Sequence, residues 1–221
     1  MKKFFLLFTM LALTIGGFSS CQKKGKPGEL CDPEEICEPE EEEVFFYYCF
    51  DEKIFLKQRK DLIYIKFPQD VDTEHLRTLI NSDASLLPTS YVYLDKSPLR
   101  YAVLESKDGK QIPVATIDSF KKREEVVSVS YMYYIQGGWQ LLAVTDDFSV
   151  KLKETTTYEQ LNKLAEQYHC TIGEENRYVK NQFMMYVPKT SRLDAMQIAN
   201  LFQETGLFEF AAPNMIVFNL K

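Results

Sequence analysis

The sequence predicts an α+β chain made of two tandem copies of one strand–helix–strand–strand–helix–strand unit, preceded by a β-hairpin. Three observations carry this. First, Ile65-Lys66-Phe67 recurs as Val150-Lys151-Leu152, a shift of 85 (150 − 65). Leu76, Leu79 and Ile80 recur at the same shift as Leu161, Leu164 and Ala165. Second, the later part of the unit recurs at a shift of 81 (195 − 114). There Val114, Ile117 and Phe120 become Ala195, Ile198 and Leu201, and Val127 and Val129 become Phe208 and Phe210. Third, alternating and helical apolar patterns follow one another in the same order in both copies. Two split crossovers of this kind close an antiparallel sheet with both helices on one face, the ferredoxin-like arrangement.

The elements follow in order. Val44–Phe50 is strongly apolar, Asp51-Glu52-Lys53 reads as a turn, and Ile54-Phe55-Leu56 as a returning strand. In the first copy Leu62–Phe67 is a strand, and Asp72 or Thr73 can cap a helix carrying Leu76, Leu79 and Ile80. Tyr91–Tyr93 and Tyr101–Leu104 are strands, Lys107-Asp108-Gly109-Lys110 is a turn, and Pro113 opens a second helix. Val126–Ile135 is a long strand broken by Gly137-Gly138, after which Trp139–Val144 returns as a bridging strand. In the second copy Phe148, Val150 and Leu152 alternate as a strand, and Thr156-x-x-Glu159 has capping-box spacing. Cys170–Ile172 and Phe183–Val187 are strands. Ser191-x-x-Asp194 starts a helix that Gly206 ends, and Leu207–Ala211 is a last strand stopped by Pro213.

These elements divide the chain into residues 1–20, 21–43, 44–60 (hairpin), 61–145 (first repeat with its bridging strand), 146–214 (second repeat) and 215–221 (tail). Helices on one face leave the other face of each sheet bare. In Phe183–Val187 both alternating sets are apolar, so the bare face is expected to meet the other copy, the hairpin or a partner.

The N-terminus reads as a secretion signal. Lys2 and Lys3 precede the apolar stretch Phe4–Ile15, which is too short to span a bilayer comfortably. Gly16, Gly17, Ser19, Ser20 and Cys21 follow, then Gln22-Lys23-Lys24. This order resembles the lipobox of bacterial lipoproteins, with Phe18 in place of the usual Leu. The resemblance implies cleavage before Cys21, acylation (palmitate among the chains) of that cysteine, and a lipid-anchored envelope location. The outer membrane is expected, with its face left open. Residues 22–44, with Pro27, Pro33, Pro39 and the run Glu40–Glu43, read as a flexible acidic tether.

Composition limits the remaining functions. Without residues 1–20 the chain carries 24 basic (26 − 2) and 32 acidic residues, a balance of −8. An acidic chain without a basic stripe is not expected to bind nucleic acid. The two histidines, His75 and His169, and the spacing of Cys31, Cys37, Cys49 and Cys170 offer no zinc pattern. Cys31-x5-Cys37 permits a loop disulfide, but the pairing stays open. Asp146-Asp147 and Glu174-Glu175 read as solvated turns whose neighbours point apart. No metal, no small-molecule cofactor and no catalytic residue is expected.

Phe148–Leu152, the Leu161/Leu164/Tyr168 helix and Phe208-Glu209-Phe210-Ala211-Ala212-Pro213-Asn214 resemble a subtilisin propeptide (peptidase inhibitor I9-like) domain. That family's closing strand commonly ends Ala-Glu-Pro-Asn; here Ala212 replaces the Glu. The hairpin and bridging strand resemble the N-terminal region of lipid-anchored subtilisin-like proteases of Gram-negative bacteria. The resemblance implies a ferredoxin-like fold, an open sheet face laid on the protease, and a C-terminal tail in the substrate cleft. The Asp, His and Ser of the protease are missing, so the chain is not expected to be an enzyme. Two functions follow. One is a trans-acting inhibitor or folding chaperone of a subtilisin-like protease, with Phe218, Asn219, Leu220 and Lys221 lying in the cleft as an added strand. The other is a non-catalytic protein-binding or structural lipoprotein module, in which Met215–Phe218 simply continue the sheet edge.

Overall fold

The computed structural model describes residues 44–95 and 99–218. Cys21, the tether, Cys31, Cys37, Asn219, Leu220 and Lys221 lie outside the described residues. Within them the chain is mixed α+β, with four helices and a nine-stranded sheet whose pairings are all antiparallel. The strands are β1 (Phe45–Cys49), β2 (Glu52–Phe67), β3 (Leu86–Tyr93), β4 (Arg100–Ser106), β5 (Ser128–Ile135), β6 (Leu141–Leu152), β7 (Thr171–Glu175), β8 (Gln182–Tyr186) and β9 (Phe208–Phe218). The helices are α1 (Thr73–Ile80), α2 (Val114–Lys121), α3 (Tyr158–Gln167) and α4 (Ala195–Glu204).

The sheet runs β3-β4-β2-β5-β6-β8-β7, with β1 on the outer side of β2 and β9 along β6. The first half therefore orders its strands β5-β2-β4-β3 and the second β9-β6-β8-β7, with equivalent strands in equivalent places. Irregularities repeat as well. The pairing of β2 with β5 shifts between Arg59 and Ile63, and that of β6 with β9 between Val144 and Phe148. Both positions are 85 apart (144 − 59 and 148 − 63). A bulge bends a strand and raises its twist, so each long strand turns at the same point of its half.

Three sequence expectations change at the strands. The hairpin return and the first repeat strand are one strand, β2, and the bridging and second-repeat strands are one strand, β6. The boundaries at 60/61 and 145/146 thus fall inside continuous strands. Pro213 does not stop β9, because it sits next to a register shift on a strand that pairs only with β6. No ladder hydrogen bond from its nitrogen is required there. Ile65 pairs with Val129 and Val150 with Ala211, so Val129 matches Ala211 at an offset of 82 (211 − 129), not Phe210. A one-residue slip exchanges faces; Val129 and Ala211 are both buried, whereas Phe210 is half-exposed.

Local chemistry sets the helix ends. The Asp72 side chain accepts from the Glu74 and His75 amides. Thr157 and Gln160 form the capping box of α3, one residue beyond the expected Thr156. Asp194 and Gln197 form that of α4, so Asp194 and not Ser191 is its cap. Gly206, at φ +72, takes the left-handed position just past α4, where a side chain would be strained.

Apolar side chains gather in three places. Ile63, Ile65, Leu76, Ile80, Ile117 and Phe120 fill the space between the first half's sheet and helices. Phe148, Val150, Leu161, Ala165, Phe202 and Phe208 do the same in the second half, joined by Phe45 and Leu56 of the hairpin. The third group lies on the helix-free side of the first half and joins Leu62, Tyr64 and Val103 to Leu141, Ala143 and Phe218.

Candidate functional site

The two helix-free faces have different fates. That of the first half is covered by the start of β6 and the end of β9. Phe218 is 4% exposed, with its ring 5.0 Å from Tyr91 and 5.6 Å from Tyr101. That of the second half is open. Along β6, Phe148, Val150 and Leu152 are buried under the helices while Ser149 and Lys151 alternate to the other side. Ser149 stands opposite Met184 on β8 and Ala212 on β9, and Asp147 opposite Tyr186. Met185 is buried, whereas Met184 is half-buried and Tyr186 is 44% exposed. A Cβ on Gly173 would come within 2.9 Å of the Tyr186 ring and 3.1 Å of the Met184 carbonyl oxygen. Only glycine lets Tyr186 lie across β7 in this way.

Polar groups join the halves at the rim of this face. Lys66 Nζ of β2 lies 2.5 Å from Asp146 Oδ1 and 4.0 Å from Asp147 Oδ1. Asn214 Nδ2 of β9 donates to Asp147 Oδ2 and lies 3.3 Å from Met184 Sδ. The expectation that these two aspartates point apart as a solvated turn is corrected. They occupy the shift between Val144 and Phe148, where strand alternation is broken, and both reach one ammonium. Tyr64 is fully buried nearby; burial, then the Asp146 charge, pushes its hydroxyl up from the usual phenol range. The Pro213-Asn214 pair that carried the family resemblance thus sits in mid-strand, and its amide holds the junction.

Between the helices of the two halves lies a cleft of about 360 Å³. Its floor is β5 (Ser128–Tyr133), one wall is α2 with Asp118 and Lys121, and the other is the segment leading into α4. Asp194 closes one end. It accepts from the Gln197 amide at 2.9 Å and from the Tyr133 hydroxyl at 3.2 Å, and that hydroxyl accepts from Gln58 Nε2. Burial pushes the Asp194 carboxyl above the ordinary carboxylate range, against the lowering by these donors. The folded state therefore holds this proton to higher pH than the unfolded chain. The stability it contributes is complete below the ordinary carboxylate pKa and is lost as pH rises through the folded value. Asp194→Ala is expected to lose about 1 kcal/mol of stability with the cap. Asp194→Asn keeps a capping oxygen, so its stability relative to the wild type should improve from acid to neutral pH in urea titrations. A pH-independent difference would contradict a proton on Asp194.

The other expected residues are dispersed. His75 Nε2 is 2.7 Å from Glu125 Oε1 on the surface of the first half. His169 is exposed at φ 56 just after α3, while Cys170 is half-buried, its thiol pushed up to about 11 by burial. Cys49 is exposed and unbridged among the described residues, and Glu174 and Glu175, expected in a turn, are exposed on strand β7 instead. Phe218 belongs to β9 and the core rather than to a free tail. Among the described residues no cluster of three or more His, Cys, Asp or Glu could hold a metal, and no helix is long and apolar enough to cross a membrane. No histidine or cysteine lines the cleft. Compared with known proteins, the chain matches no family model, no curated protein and no solved structure.

Proposed function

We propose that the chain is a lipid-anchored, non-catalytic envelope protein of two tandem ferredoxin-like halves that binds another protein through the bare face of its second half. The observation that carries this is the asymmetry of the faces: one is buried inside the molecule, and the other, with Met184, Tyr186 and Ala212, is left open. The strand orders β5-β2-β4-β3 and β9-β6-β8-β7, with their matching shifts, support the tandem assignment. A subtilisin-like protease, inhibited or chaperoned in trans, is the partner that the propeptide resemblance suggests, since such domains use this face. With Phe218 buried, any contribution of the tail to a protease cleft falls to Asn219, Leu220 and Lys221.

The test is an inhibition assay against an envelope subtilisin. It compares the wild type, a Met184→Asp/Tyr186→Asp variant, and a chain ending at Phe218. Inhibition lost in the first variant supports the face, and inhibition lost in the second adds the tail. Absence of inhibition by the wild type removes the protease as partner. The binding module then stands only if a photo-crosslinker at residue 186 captures an envelope protein in intact cells and the same group at exposed Tyr178 does not.

A further inference from the structure

One end of the molecule carries apolar side chains that the fold does not use. The β1–β2 turn and the β5–β6 turn both lie at this end, the first projecting beyond the second. Leu56 pairs with Ile135, the Gln136 amide donates to the Phe55 carbonyl at 2.9 Å, and Leu141 pairs with Phe218. With β1, β2, β5 and β6 as neighbours and strands about 4.8 Å apart, the two turns are about 10 Å apart across the sheet, and the β1–β2 turn projects about four residues, or roughly 13 Å, further along the strands. Phe50 is 80% exposed, Trp139 63%, Val217 52% and Phe55 43%. Phe50 also has φ 56, a left-handed conformation that favours glycine or asparagine and that a bulky residue rarely takes. A phenylalanine held there with most of its surface in water adds little buried area to the fold. Phe46 and Phe55 extend the patch inward, with ring centroids 6.2 Å apart, and Lys53 lies over the Phe46 ring at 4.1 Å.

We infer that this end, with Phe50 and Trp139 at its tips, inserts into the interfacial layer of a phospholipid bilayer. The inference rests on the Cys21 anchor proposed above. Covalent geometry supplies the reason for choosing a membrane as occupant. Twenty-three Cα steps (44 − 21) separate Cys21 from Val44, where the chain enters β1 one short strand from the tip. Fully extended, that length keeps the fold within about 80 Å of the bilayer. Contact of the tip with lipid is then an intramolecular event, so shallow insertion of a few side chains suffices. Trp and Phe suit the interface because their rings are apolar and tolerate the headgroup level. Asp51 and Glu52 flank Phe50, and Lys53 is 3.8 Å from Glu204. The tip thus has no cationic excess, and it fits a zwitterionic surface rather than an anionic one.

Trp139 is the chain's single tryptophan, so its fluorescence reads the tip directly. The experiment uses residues 21–221 carrying Cys21→Ser, tethered by an N-terminal histidine tag to phosphatidylcholine vesicles containing a nickel-chelating lipid. The outcome then does not depend on acylation, which is tested separately by the mass of the native mature chain. On vesicles, Trp139 emission should shift to the blue, its quenching by aqueous iodide should fall several-fold, and shallow brominated lipids should quench it. Phe50→Ser/Phe55→Ser should restore iodide quenching, while Tyr178→Ser, in the loop between β7 and β8, should change nothing. Equal iodide quenching with and without vesicles overturns the inference. So does protection that arises without lipid as protein concentration rises, which would assign the patch to a second copy of the chain.

Discussion

Arg100→Met should lose about 3 kcal/mol of stability, the scale for leaving several buried carbonyls without a donor. Arg100 is 1% exposed and, among the described residues, forms no ion pair with a carboxylate; its donors meet backbone oxygens and one hydroxyl. Nε donates to the Leu94 carbonyl at 3.0 Å, and Nη2 to Thr73 Oγ1 at 2.9 Å. Nη1 lies within reach of the carbonyls of Val71, Gln69 and Pro68. One guanidinium thus gathers the end of β3, the segment before α1 and the first residue of α1 onto the start of β4. Methionine would fill much of the volume but would strip the guanidinium donor from the carbonyls of Val71, Gln69 and Pro68, each of which costs about 1–3 kcal/mol when buried without a partner, while Leu94 keeps the Thr73 hydroxyl as a donor. Arg100→Lys keeps the charge without the planar fork and should recover less than half of the loss. Urea unfolding of the three proteins measures this. A loss below about 1 kcal/mol for methionine would mean that water replaces the guanidinium at these carbonyls.

The second large effect is expected at Phe202, where alanine should cost about 3–5 kcal/mol. The ring is fully buried, with centroids 5.1 Å from Phe148, 5.4 Å from Phe208 and 5.8 Å from Tyr168. It therefore ties α4 to β6, β9 and the end of α3. The cavity left by alanine would be lined by the rings of Phe148 and Phe208, whose backbones are fixed in the sheet, and of Tyr168 at the end of α3, so collapse into it is limited. Phe202→Met, which keeps most of the volume, should lose under about 1.5 kcal/mol. Thermal and urea unfolding should rank the three proteins in that order. A phenylalanine-to-alanine loss no larger than the methionine loss would show that the site relaxes freely.

Phe202 also shows where periodicity stops being informative. The sequence aligned Ala195, Ile198 and Leu201 with the first copy. In the structure Leu201 is half-buried and Phe202 is the core residue. Steps of three and four both stay on one helix face, so the pattern identifies the face and leaves the innermost residue open. Leu76 and Leu161, by contrast, are both fully buried at the predicted shift. The caps were legible to within a few residues because a cap is a contact between near neighbours in the chain. Asp72 is one of the two residues expected for α1, while Asp194 and Thr157 replace neighbours. The open face was legible in part: Met184 and Tyr186 were expected to point away from Met185, and they do. Arg100 and the Lys66–Asp146–Asp147 junction carried no signal, because most of their partners lie 27 to 81 residues away.

By itself the sequence determined the α+β class and the order of strands and helices, because apolar period and capping are local properties of the chain. Only the tertiary structure decided that two expected strand pairs merge into the long strands β2 and β6, and that Val129 matches Ala211. It also decided that one helix-free face is buried while the other stays open. Strand register, bulges and the pairing of faces arise from contacts between residues far apart in the chain, and no local pattern encodes which of two apolar faces finds a partner.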